Sequence, residues 1–371
     1  MLPMRRAAVA MCLLLAGLGV CAESARACNV PVFRYALERW PPAPYEVFVF
    51  HRGPLSADSQ AAVADLGTRG RANADGGVIN LLVVDLDATP NAAIKKLWDA
   101  APGASLPWMI VRYPESVGVA ESIWAAPLSR ESAAAAVDSP LRRRIARDLI
   151  QGESAIFLLL ECGNRAKDEA AAKLLETQLA QLEKTLELPQ PAPGQWNDPV
   201  YDEKGPPAMR LGFCVVRLSR TDPAEQFFVR MLLGPKPPPQ SAGEPIVFPI
   251  FGRGRALCAI MGEDLTADRI GEEAAFLVGP CSCVVKEQNP GVDLLIAVDW
   301  DAALAGQASA IPAVDPPPPA GLSDFAADKG KAAASPETPE THLIRHTAVA
   351  VIVGLGILTA TIIIWRRRRA A

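Results

Sequence analysis

Six cysteines stand beyond the first 27 residues: Cys28, Cys162, Cys214, Cys258, Cys281 and Cys283. Cys162 opens the string Cys162-Gly163-Asn164-Arg165, directly after an apolar run that reads as a strand. A thiol at such a strand-to-helix junction can be activated by the helix N-terminus and attack a disulfide. Two-thiol exchange needs Cys-x-x-Cys there, and Arg165 stands in place of the second thiol. Cys162 therefore fits a monothiol nucleophile beside a cation, or a structural or disulfide-paired cysteine. Cys281-Ser282-Cys283 sets two soft donors close together, which suits a soft ion such as Cu(I). A direct bridge within that triplet is strained, because disulfides prefer Cα separations of about 5.5–6 Å. The competing expectation is a bridge from Cys281 or Cys283 to Cys258 or Cys214. An even cysteine count in an oxidising compartment allows this.

Other chemistry finds little support. The three histidines are His51, His342 and His346, so a Ser-His-Asp or zinc site would have to be built around His51 alone. No HExxH, GxSxG or P-loop string occurs, and no cofactor is expected. Gly252-Arg253-Gly254-Arg255 fits either an anion cradle or, more simply, a solvated hairpin.

The ends of the chain read as addresses. Arg5 and Arg6 precede an apolar run and a small-x-small site at Ala25-Arg26-Ala27, the layout of a signal peptide over residues 1–27. Cleavage would leave Glu23 or Cys28 first. Residues 347–365 (TAVAVIVGLGILTATIIIW), opening on Thr347 and closing on Trp365, carry no charge. That length matches the ~20 residues that cross a bilayer. Arg366 to Arg369 follow and would hold that end in the cytoplasm. The expected partner there is the cytoplasmic membrane, with a helix over 346–366, a basic tail over 367–371, and the body outside. Residues 303–345, rich in Ala and Pro, form an extended tether.

Formal charge is −4; setting aside +2 from residues 1–27 and +4 from the terminal arginines leaves −10 for the body. Phosphate recognition needs a basic face, so nucleic acid is not an expected partner.

The body repeats one pattern. Strands are expected over 46–50, 78–86, 107–113 and 122–126, with helices over 56–66, 91–100 and 132–151. The second pass gives strands over 155–160, 211–218, 245–251 and 256–261. Its helices fall over 166–186, from Pro223 to Leu233, and over 266–278. Leu175, Leu179, Leu182 and Leu186 form a stripe that packs on a sheet. Pro249 inside the third strand implies a bulge.

The order β-α-β-α-β-β-α, met twice over residues 44–280, resembles the thioredoxin-like fold in tandem. Pro107 and Pro245 stand where that family starts its third core strand on a proline, usually cis and facing the active site. The resemblance implies an α/β fold with two units, 28–151 and 152–302, both lacking the redox pair; residues 51–54 (His-Arg-Gly-Pro) hold no thiol at all. The strings CNVPVFRYALERW and CSCVVKEQNPGVDLL are also similar to those of bacterial envelope proteins. The expected function is a membrane-anchored binding or scaffolding protein that meets an envelope protein partner. A monothiol protein using Cys162 and a copper binder using Cys281 and Cys283 are the alternatives.

Overall fold

In the computed structural model, the described residues are 30–70, 77–88, 90–101, 103–189, 210–281 and 285–304. The signal and anchor expectations and residues 305–345 of the expected tether, with Cys28 and Cys283, lie outside them. Residues 303 and 304, expected to begin the tether, end a helix instead. A short helix α1 (Val32–Arg39) opens the described residues and ends against Pro41-Pro42. Strand β1 (Tyr45–His51) is apolar along most of its length and buried on both faces. Helix α2 (Ala57–Gly70) leads to β2 (Ile79–Asp85), which runs parallel to β1. Helix α3 (Ala92–Asp99) is capped by Asn91, whose side chain accepts from the Ile94 amide. Strands β3 (Trp108–Arg112) and β4 (Ser122–Pro127) then add antiparallel on the other side of β1. The sheet order is β2-β1-β3-β4.

The helical stretch expected over 132–151 is two helices. Ser129 and Ser132 cap each other at the start of α4 (Arg130–Val137), and Ser139 with Pro140 restarts the chain as α5 (Pro140–Ile150).

The second pass repeats the arrangement. Strand β5 (Ala155–Glu161) pairs parallel with β6 (Phe213–Ser219), and α6 (Arg165–Thr185) connects towards it. Helix α7 (Gln226–Leu233) precedes β7 (Ile246–Phe251), which lies antiparallel to β5. The fourth strand is split into β8 (Arg255–Ala256) and β9 (Ile260–Met261), both paired with β7. Pro249 accounts for the split. In a strand, the nitrogen and carbonyl of one residue face the same neighbour, and the Pro249 carbonyl accepts from Leu257 at 2.8 Å. Its nitrogen, which has no proton, faces the same gap, so no regular ladder can cross there. Helix α8 (Ala267–Val278) follows, then β10 (Val292–Asp293) on the edge beside β8, and α9 (Trp300–Leu304).

Both sheets belong to one compact unit. Val47, Val49 and Met109 of the first sheet share a core with Ile156, Leu158 and Phe248 of the second, joined by Ile145, Phe228 and Trp300. The outer face of the second sheet packs on α6 and α8, and α1 joins them: Val32, Phe33 and Ala36 sit with Phe157, Leu175 and Leu277. Helix α1 thus lies against the sheet of the second pass. Among the described residues, the outer face of the first sheet carries α3, through Ile94, Leu97 and Trp98 over Phe48 and Phe50. Among the described residues, no helix is long and apolar enough to cross a membrane.

Candidate functional site

The two strand-to-helix junctions are where thiol chemistry would be expected, and both are closed turns. After β1, His51 Nδ1 lies 2.8 Å from the Gly53 carbonyl, and Gly53 takes the left-handed region at φ +59°. Ser56 then accepts from the Ser59 amide at 3.2 Å and starts α2. This junction offers no nucleophile of the thiol type.

After β5, Cys162 is half-buried and Gly163 has φ +88°. The side chain of Asn164 accepts from the amides of Ala166 (3.1 Å) and Lys167 (3.3 Å). Asp168, buried, turns its carboxylate back and accepts from the amides of Cys162 (2.8 Å) and Gly163 (3.0 Å). Asn164 thus takes two amides of the first helical turn, which would otherwise stabilise a thiolate at Cys162, and Asp168 takes the two that precede the helix.

Two cations stand within electrostatic range of Cys162. Lys167 donates to the Gly243 carbonyl at 3.0 Å and pairs with Glu244, and that pairing holds its pKa above the usual lysine value. Arg220 donates to the carbonyls of Glu161 and Glu244, both at 2.8 Å, and burial pulls its pKa down. Both groups fasten the loop before Pro245 to this junction. For Lys167 the Glu244 pairing outweighs Cys162, whereas for Arg220 Cys162 is the largest charge that acts on it, after burial.

The remaining sequence candidates do not converge here. Cys214 sits opposite Ile156, at the far end of the strand pair from Cys162, and burial raises its pKa. Cys258 lies in the break between β8 and β9; burial, then the Glu273 carboxylate, push its thiol up to about 11. Cys162, Cys214 and Cys258 carry free thiols, so the structure forms no bridge to Cys258 or Cys214. Cys281 is buried just past α8, and its amide donates to the Val30 carbonyl at 2.9 Å. Its proposed copper partner Cys283 lies outside the described residues, among which no group of three or more His, Cys, Asp or Glu could hold a metal. The Leu106–Pro107 peptide is cis and that before Pro245 is not.

The Gly252–Arg255 turn corrects both expectations made for it. Arg253 and Arg255 are neither solvated nor open to an anion. Arg253 donates to the Leu37 carbonyl at 2.8 Å and pairs with Asp301 at 2.8 Å. Arg255 donates to the carbonyls of Pro290 and Asn289 and pairs with Asp293 at 2.9 Å. Gly252 explains why the turn is glycine: a Cβ there would meet that of Ala36 at 2.6 Å.

No family model and no curated protein matches the chain.

Proposed function

We propose that the chain is a membrane-anchored extracytoplasmic binding or scaffolding protein, built from two thioredoxin-like units that no longer carry out thiol exchange. The shared strand order of the two sheets, second-first-third-fourth with the first pair parallel, supports the thioredoxin-like reading. The observation that carries the non-enzymatic reading is the Asp168 carboxylate on the amides of Cys162 and Gly163. It adds a negative charge to the Cys162–Gly163 turn, and Asn164 occupies the amides of Ala166 and Lys167 that a thiolate would use. The signal-like start and the charge-free segment 347–365 before four arginines support the anchor and the orientation.

Lys167 and Arg220 favour a second reading, a monothiol protein acting through Cys162, because a cation near a thiol favours the thiolate. One experiment separates the two. The full-length protein in detergent is assayed for reduction of a mixed disulfide by glutathione, beside its Cys162→Ser variant. A scaffold gives the same background rate for both. Turnover that disappears with C162S replaces it with the monothiol protein. For the anchor, protease added to intact spheroplasts should cut the tether and release the body; full-length protein surviving on sealed cells overturns that part.

A further inference from the structure

Two cavities meet beside the turn that joins β3 to β4. The larger, about 310 Å³, lies between the two passes, where Tyr113, Val117 and Val119 face Leu233, Phe248 and Leu294. No charged side chain lines it, and the Tyr113 hydroxyl spends its proton on the Met231 carbonyl. A peptide main chain entering it would give up hydrogen bonds to water for little return, whereas hydrocarbon gives up none. The second cavity, about 270 Å³, shares Val117 and Val292 with the first and is lined by Arg255, Lys286 and Asp293. These three side chains are 10%, 13% and 7% exposed, so two nearly buried cations there meet one nearly buried carboxylate. Glu287 also lines this cavity but is exposed, where water weakens its charge. Arg255 spends one N–H on each of Pro290, Asn289 and Asp293, and Lys286 spends two protons, on Pro41 and Asp293. One N–H on each terminal guanidinium nitrogen and one on the lysine remain for an anion.

We propose that the two cavities form one site for a single-chain fatty acid, with its carboxylate beside Arg255 and Lys286 and its chain between the two sheets. The pair of cavities selects this occupant. An apolar chamber without charge takes the chain, and the adjoining chamber, with one more buried cation than buried anion, takes one negative charge. A cavity of ~150 Å³ accepts benzene, so about twice that volume takes a chain of about 12 carbons. The paired chains of a phospholipid exceed it. The site is separate from the protein-binding role proposed above, and its failure leaves that role standing.

The test is photolabelling of the full-length chain in amphipol with dodecanoate that carries a diazirine at its methyl end. Label that plain dodecanoate displaces is expected on the segments around Val119, Leu233 or Cys258, which line the apolar cavity. Dodecanol, with the same chain and no charge, should displace it only at a concentration about ten-fold higher or more, the loss expected for hydrogen bonds to a charged group. Val119→Trp fills the apolar cavity and Lys286→Met removes a cation; each should lower the displaceable label about ten-fold, again the worth of one such contact. The circular dichroism spectrum should not change. Val119 is a half-buried turn residue, so its variant keeps the test open should Lys286→Met disturb the Asp293 cluster. No displaceable label, or such label confined to other segments, overturns the proposal. So does equal displacement by dodecanol and dodecanoate, or full label on either folded variant.

Discussion

The guanidinium of Arg142 donates to the carbonyl of Leu295 at 3.0 Å, tying a helix of the first pass to the segment that closes the second. Arg142 is 1% exposed and also donates to the carbonyls of Ala135 (2.6 Å) and Ala136 (2.9 Å) and to Ser139 Oγ (3.0 Å). It lies 5.2 Å from the Phe227 ring centroid. Replacing it with methionine keeps most of the volume but strands those acceptors away from water. The expected loss is about 3–5 kcal/mol, since each orphaned buried acceptor costs about 1–3 kcal/mol. Urea unfolding followed by tryptophan fluorescence measures it; a loss under about 1 kcal/mol would mean that water reaches the site.

Asp293, two residues before Leu295, plays a matching role. Its carboxylate accepts from Ala43 N (2.8 Å), Lys286 Nζ (2.7 Å) and Arg255 Nη1 (2.9 Å). Its carbonyl accepts from the Tyr45 hydroxyl at 2.8 Å. Asp293→Asn leaves two nearly buried cations without a counter-charge, and about 3–5 kcal/mol of stability should be lost. Adding Arg255→Met should cost far less than its separate effect, because the two residues act as one unit. A double-mutant cycle decides this, and additive losses would show that the pair is not coupled.

Much of this architecture is legible in the residue pattern, and the exceptions have a physical cause. The apolar runs that became β1, β5 and β7 need only local composition to be read, and Pro249 foretells the break beside it. Arg253, Arg255 and Asp293 could not be read that way: their partners lie tens to hundreds of positions away, and residue type alone predicts a solvated charge. Arg142 did leave a trace. With Ile145, Ala146 and Leu149 it completes an i, i+3, i+4, i+7 stripe, the buried face of α5. Among the three consecutive arginines 142–144, helical phase singles out the first. At the candidate site, Cys162 was found from its position after a strand, but Asp168 was not, because a carboxylate in a first helical turn is ordinarily a solvated partner of the dipole.

Cys258 should be the slow thiol. With its pKa raised to about 11, mainly by burial, it is almost wholly protonated at pH 8, and only the thiolate reacts with iodoacetamide. Its alkylation rate, followed by peptide mass, should keep rising to a midpoint near 11. The folded state holds this proton more tightly than the unfolded chain does. Stability should therefore decline as pH climbs from the ordinary thiol value of 9.0 towards about 11. A rate midpoint near 9 would show that solvent reaches the sulfur.

The amide of Cys281 bonds to Val30, only two residues after Cys28 in the sequence, and Pro31 bridges Pro280 antiparallel beside it. In protein taken from an oxidising compartment, tryptic peptide 270–286 should be disulfide-linked to the peptide carrying Cys28. Cys214 and Cys258 should remain alkylatable in the unreduced, unfolded chain. A link from 270–286 to either of those two would instead restore the bridge expected from the sequence.

Asp168 gives the sharpest test of why Cys162 is held as it is. The carboxylate fixes two amides beside the sulfur and opposes a negative charge there, so Asp168→Asn should act on stability and reactivity in opposite directions. Stability should fall by about 1.5–3 kcal/mol, the range for hydrogen bonds to a charged group in a buried setting. With the neighbouring carboxylate charge gone and Lys167 and Arg220 retained, alkylation of Cys162 at pH 7 should be faster than in the unsubstituted chain. Cys214, at the other end of the strand pair, serves as the internal reference, because local substitution should leave its rate unchanged. Equal acceleration at both cysteines would indicate general loosening of the fold rather than release of Cys162. An unchanged Cys162 rate together with lost stability would assign Asp168 to fastening the turn alone.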